Sequence, residues 1–169
     1  MSNSRKENKP YVPKAPSAEY LERAALYYLE RFSASSAHFA SVLRRKIQKR
    51  CKLRGESPEP YYALIPPLVK RYEECGLLND TRFAAAKVSS LKRKGNSSRM
   101  IQLKLSQKGV GRELAKQSID ADETDELEAA LNLVRRKKLR QKQEKALATL
   151  ARAGFSYAIS KQALEAEDA

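Results

Sequence analysis

The chain has 169 residues, 41% of them hydrophobic and 32% charged, with no Trp. Its 34 Lys/Arg against 20 Asp/Glu leave a formal net charge of +14 and a pI near 9.9, a balance that calls for a polyanionic partner. Two cysteines without CxxC spacing, one histidine and no apolar run of ~18–20 residues argue against a disulfide scaffold, a zinc finger and a membrane span.

Residues 1–17, MSNSRKENKPYVPKAPS, hold three prolines and four basic residues without periodicity, and read as a disordered basic tail. No apolar core of a secretion signal is present there, so the cytoplasm is the expected location. From Ala18 the pattern turns helical: Leu21, Ala24, Ala25, Tyr28, Leu29 and Phe32 form one amphipathic stripe. Ser35 or Ser36 can cap a second helix carrying Phe39, Val42, Leu43 and Ile47. Gly55, Pro58 and Pro60 then break the pattern, which predicts a long loop over 52–64 with one helical turn at most. Proline is tolerated in a first helical turn, so a third helix is expected from about Pro66.

The remainder repeats. Gly109 and Gly154 stand 45 residues apart, and at the same offset Leu105 matches Leu150, Leu114 matches Ile159, and Ile119 matches Leu164. The repeat predicts helices over roughly 80–94, 97–108 and 111–120, then 123–139, 142–153 and 156–166. Residues 18–75 fit the same plan, with Cys51 where the later units have glycine. The expected fold is all-α: three tandem three-helix modules (18–75, 76–121 and 122–169) in an elongated, curved array. Nothing alternates with period two, so strands are not expected.

Chemistry is sparse. There is no phosphate-binding GxxxxGK[ST] loop, no GxGxxG, no HExxH and no DxDxDG. His38 reads as a packing or surface residue, and Cys51 and Cys75 as small apolar packing residues. Six of the acids crowd into DADETDELE (120–128), where helix capping and a linker role suffice. No enzyme activity, cofactor or metal is expected.

The basic residues are organised instead. From Thr81 to Arg112 there are nine Lys/Arg and no Asp or Glu. One cluster falls in each module: Arg44, Arg45, Lys46, Lys49, Arg50, Lys52 and Arg54; then Lys92, Arg93, Lys94, Arg99, Lys104 and Lys108; then Arg135, Arg136, Lys137, Lys138, Arg140, Lys142 and Lys145. Such a stripe suits one extended anion, with affinity from phosphate neutralisation and counterion release. Aromatics are not interleaved with the clusters, so base stacking is not the expected mode.

The segments GLLNDTRFA (76–84), KRKGNSSRMIQLKLSQKGV (92–110) and RAGFSYAI (152–159) resemble the RecX family of recombination regulators. The resemblance rests on Gly76, Leu77, Leu78, Asp80, Phe83, Ala84, Gly95, Arg99, Lys108, Gly109, Val110, Gly154 and Phe155, in the family's order. Departures are Asn79 in place of an acid, Met100 ahead of Ile101, Cys51 in place of a glycine, and the insertion at 52–64. The resemblance implies a curved tandem of three-helix modules that lies in the groove of the RecA–DNA filament and restrains ATP hydrolysis and strand exchange. Its expected contacts are Arg44, Arg45, Lys49, Arg93, Lys94, Arg99, Lys104, Lys108, Arg135, Arg136, Lys137, Lys138 and Arg140, facing RecA and single- or double-stranded DNA phosphates. A monomer without membrane attachment is expected. Two rival readings stand beside it: a general DNA-binding or nucleoid protein, and a nuclease holding Mg²⁺ with the acids of 120–128.

Overall fold

The structure, a computed structural model, describes residues 12–141 and 143–166, and every regular element among them is helical. The first three helices are α1 (Ala18–Leu29), α2 (Ser36–Arg54) and α3 (Ile65–Glu74). They are followed by α4 (Asp80–Arg93), α5 (Ser98–Ser106) and α6 (Arg112–Asp120), then α7 (Glu126–Lys137), α8 (Gln143–Arg152) and α9 (Tyr157–Glu165). Each triple encloses its own apolar cluster. Leu21, Phe39, Leu43, Ile47 and Tyr72 fill the first, Val88, Leu91, Ile101, Leu105 and Val110 the second, and Leu133, Val134, Leu150 and Phe155 the third.

Local chemistry sets the helix starts. Ser17, Ser35, Asn79, Ser97, Asp125 and Ser156 each accept a hydrogen bond from the backbone N–H three residues on, at 2.7–3.3 Å. A cap of this kind contributes about 1 kcal/mol. Asn79 therefore does the work expected of the acid it replaces.

The joints between triples use one device twice. The first residue of α4, Asp80, accepts from Ser36 N at 2.7 Å; the first residue of α7, Glu126, accepts from Ser98 N at 3.1 Å and Ser98 Oγ at 2.8 Å. Ser35 Oγ donates to the carbonyl of Lys108, and Ser97 N donates to the carbonyl of Ala153 at 3.1 Å. Gly109 lies against Ala37 and Gly154 against Ser97, so closely that a Cβ on either glycine would collide. The carboxyl end of α8 thus abuts the amino end of α5, and that of α5 abuts α2, with their dipoles head to tail. Each module thus meets the next through one such joint.

Several details differ from the sequence expectations. Helix α2 runs one turn further than Cys51, which is buried mid-helix; the left-handed residue that ends it is Gly55, at φ 70°. The expected loop at 52–64 is the end of α2 followed by a 3-10 helix over Glu59–Leu64. Cys75 is exposed rather than packed. Phe32, on the expected stripe of α1, lies beyond its end and is 56% exposed, and Leu77 of the resemblance motif is 49% exposed. Of the expected tail, residues 12–17 are ordered on α2: Pro13 and Pro16 are buried, and Arg54 Nη1 donates to Pro13 O at 2.5 Å. Residues 1–11 lie outside the described residues.

Candidate polyanion interface

Burying Ala84, Val88 and Leu91 on one side of α4 leaves Lys87 and Lys94, seven residues apart, on a shared flank. The side chain of Lys104, from α5, joins them and donates to Asn96 Oδ1. Burial, with Lys87 and Lys94 as neighbouring charges, holds the Lys104 ammonium below its ordinary pKa. Helix α7 contributes Arg136, whose Nη2 donates to the carbonyl of Lys94 at 2.8 Å.

One helical turn beyond Lys104 stands Lys108, whose Nζ lies 3.3 Å from Nε2 of His38 on α2. Arg45, two turns along α2 from His38, faces the same imidazole, and Lys49 follows one turn later. A continuous cationic strip therefore crosses the two joints, from Arg136 through Lys94, Lys87 and Lys104 to Lys108, His38, Arg45 and Lys49. Among the described residues Lys87, Lys94, Lys104, Lys108 and Arg45 make no ion pair. Two unit charges 4 Å apart repel by about 1 kcal/mol even in bulk water, and by more beside protein. An arrangement that gathers cations and keeps acids out is suited to receiving anionic charge.

Not every predicted contact joins the strip. Arg93, Arg135, Lys137 and Lys138 are exposed near its α4–α7 end, Lys138 in the left-handed region at φ 51°. Arg44 stacks over Tyr62, Arg99 lies on another flank of α5, and Arg140 donates to the carbonyl of Ala166. Other members of the sequence clusters have structural work. Arg50 stacks 3.8 Å over Tyr20 and donates to Lys14 O, and Arg54 pairs with Glu56 at 2.5 Å. Lys92 is 4% exposed, pairs with Asp122 at 3.6 Å and donates to the carbonyls of Ile119, Asp122 and Thr124. It locks the end of α4 to the α6–α7 connection and leaves the stripe. Sequence reasoning missed Lys87 and His38; the seven-residue spacing of Lys87 and Lys94 was the available signal for the first.

Three of the six acids of 120–128 have work in the fold. Asp122 pairs with Lys92, Asp125 caps α7 and Glu126 caps α5. Among the described residues no three His, Cys, Asp or Glu side chains gather into a metal site, and no helix is long and apolar enough to cross a membrane.

Comparison with known proteins places this architecture. The family model described as RecX, second three-helix domain, matches residues 79–119, which hold α4, α5 and all of α6 but its last residue. A curated relative, Regulatory protein RecX from Myxococcus xanthus, is 36% identical over 99% of this chain and 96% of its own length. The chain belongs to the RecX family. Regulatory protein RecX from Deinococcus radiodurans is 28% identical over 94% of this chain and 74% of its own. The crystal structure of RecX from Lactobacillus salivarius superposes with a TM-score of 0.57 at 23% identity, covering 88% of this chain and 94% of that one. This shows the shared fold of tandem three-helix modules. The RecX family is one of regulatory proteins; of the motif residues here Leu78, Phe83, Val110 and Phe155 are buried, Lys108 lies on the strip, and Leu77 and Arg99 are exposed away from it.

His38 gives the strip a pH signature. Burial first, then Lys108 and Arg45, lower its pKa below 6.5, so the free protein holds the ring neutral at pH 7. Because the unfolded chain binds this proton more readily, His38 costs stability as pH falls through about 6.5. A phosphate placed on the strip would reverse the local field and favour the imidazolium, so such binding would take up a proton. Affinity for a single-stranded oligonucleotide is expected to rise more between pH 7.5 and pH 6 for the native protein than for His38→Gln. Anisotropy titrations at the two pH values measure the difference, and identical responses would remove His38 from the interface.

Proposed function

We propose that this protein binds RecA–DNA filaments along the cationic strip and restrains RecA ATP hydrolysis and strand exchange, so regulating DNA repair and homologous recombination in the cytoplasm. The observation that carries the reading is the run Arg136–Lys94–Lys104–Lys108–Arg45, which makes no ion pair among the described residues and is assembled from three modules across two equivalent joints. Modules in tandem suit a polymer with a repeating phosphate backbone better than a compact ligand. Phosphate contacts without base stacking supply affinity without sequence preference. Family membership supports a regulatory rather than a catalytic role.

Salt dependence tests it. Neutralising about five phosphates should make log K fall with log[salt] at a slope of roughly −3.5 to −4.5, between single-strand and duplex values. Titration onto fluorescent filaments at several salt concentrations measures the slope. A flat response would make the strip an ordinary solvated face. Affinity for bare DNA exceeding that for the filament would favour a general DNA-binding protein instead.

A further inference from the structure

The side of α5 away from the strip faces a groove of about 600 Å³ between α5, α6 and α8. Arg99 is five residues from Lys104, which puts it roughly 140° further round the helix. Met100, Leu103, Val110 and Ala115 line the groove together with Arg99 and Arg112. Leu103 is 52% exposed and gives the groove an open aliphatic floor. Neither arginine forms an ion pair or a hydrogen bond among the described residues. The nearest acid in sequence, Glu113, accepts from Gln117 at 3.4 Å.

We propose that this groove docks a segment of a partner protein in which a carboxylate flanks an apolar side chain. The apolar side chain would cover Leu103 and Met100 while Arg99 and Arg112 take the carboxylate, for which guanidinium is the better-matched cation. Charge complementarity and the floor together decide the occupant. A phosphate backbone offers nothing to an aliphatic floor, and the groove has no aromatic side chain on which a base could stack. A second copy is disfavoured by the net charge of +14 on each chain. On the function proposed above, on which this inference rests, the segment belongs to the recombinase. The protein then grips the filament from two flanks of one helix, DNA phosphate on one and protein on the other.

The test compares two ligands for the full-length chain: a fluorescent single-stranded oligonucleotide, bare, and the same oligonucleotide coated with RecA. Arg99→Gln combined with Arg112→Gln, and separately Leu103→Ser, should weaken binding to the coated strand at least tenfold. Both should leave affinity for the bare strand within about twofold, and thermal unfolding should stay close to native because all three positions are exposed. Equal losses on both ligands would mean that the groove holds nucleic acid and would overturn the proposal. Unchanged binding to both would overturn it too. Failure of the unmodified protein to bind the coated strand would instead remove the function proposed above, and this inference with it.

Discussion

Lys94, Lys104 and Lys108 changed together to glutamate should lose filament binding by on the order of 100-fold or more while the fold survives, because like charges facing a polyanion cost several kcal/mol. Among the described residues none of the three makes an ion pair, so no carboxylate is left without its cation. Lys104 gives up its bond to Asn96, but substitutions at accessible positions stay within about ±0.5 kcal/mol when no special feature is lost. The salt slope should shrink by about two, close to 0.7 per lost single-strand phosphate contact. A control with the same charge change, Lys70, Lys116 and Lys161 to glutamate, separates the strip from net charge. Lys70 and Lys161 sit in exposed pairs with Glu74 and Glu165, and all three are exposed on other helices. Filament binding measured by anisotropy should survive in the control and fail in the strip variant. Equal losses would make net charge sufficient and the strip irrelevant.

Gly95→Val should be the most damaging single change at a joint. Gly95 adopts φ 73°, and a Cβ there would stand 2.7 Å from both Cα and N of Leu133 on α7. The left-handed conformation costs a branched residue about 1–2 kcal/mol. Forcing α4 and α7 apart adds about 1–3 kcal/mol of overpacking. Together these predict a loss of about 2–5 kcal/mol, or ~5–20 °C in Tm for a chain of this size. Gly55→Ala supplies the comparison. Its φ is 70° but nothing lies within 4 Å of the added carbon, so the conformational cost alone remains. Calorimetry showing equal losses for the two variants would mean that the α4–α7 contact does not hold the modules together. Filament binding should also fall for Gly95→Val, because the same contact sets Arg136 against the carbonyl of Lys94.

Much of the fold was legible because the controlling signals are local. Ser35, Asn79, Ser97 and Ser156 cap the helices that follow them, and the glycine at offset 45 ends a helix both times. Residues of the predicted apolar patterns, such as Leu21, Phe39, Leu105 and Leu150, are fully buried. Charge was harder to read, because contacts between helices decide what a lysine does. Lys92, Arg93 and Lys94 are adjacent in sequence, yet the α6–α7 connection folds over the first and leaves the others in solvent. Arg50 and Arg54 fall in the same basic cluster, yet they donate to the carbonyls of Lys14 and Pro13 and so fasten the segment ahead of α1. His38 gains its place from Lys108, 70 residues away, and no periodicity within α2 announces that neighbour. Helix α2 itself ran past the expected stop because the left-handed glycine lies at 55, where prolines downstream had suggested a loop.

The regulatory claim is tested most directly by RecA ATP hydrolysis on single-stranded DNA with the purified protein titrated in. Hydrolysis should fall with increasing protein and recover as salt is raised, and the Lys94, Lys104 and Lys108 glutamate variant should leave it near the uninhibited rate. Unchanged hydrolysis at protein concentrations that saturate the filament would contradict a restraining role. Equal potency of the glutamate variant would contradict the strip as the surface through which it acts.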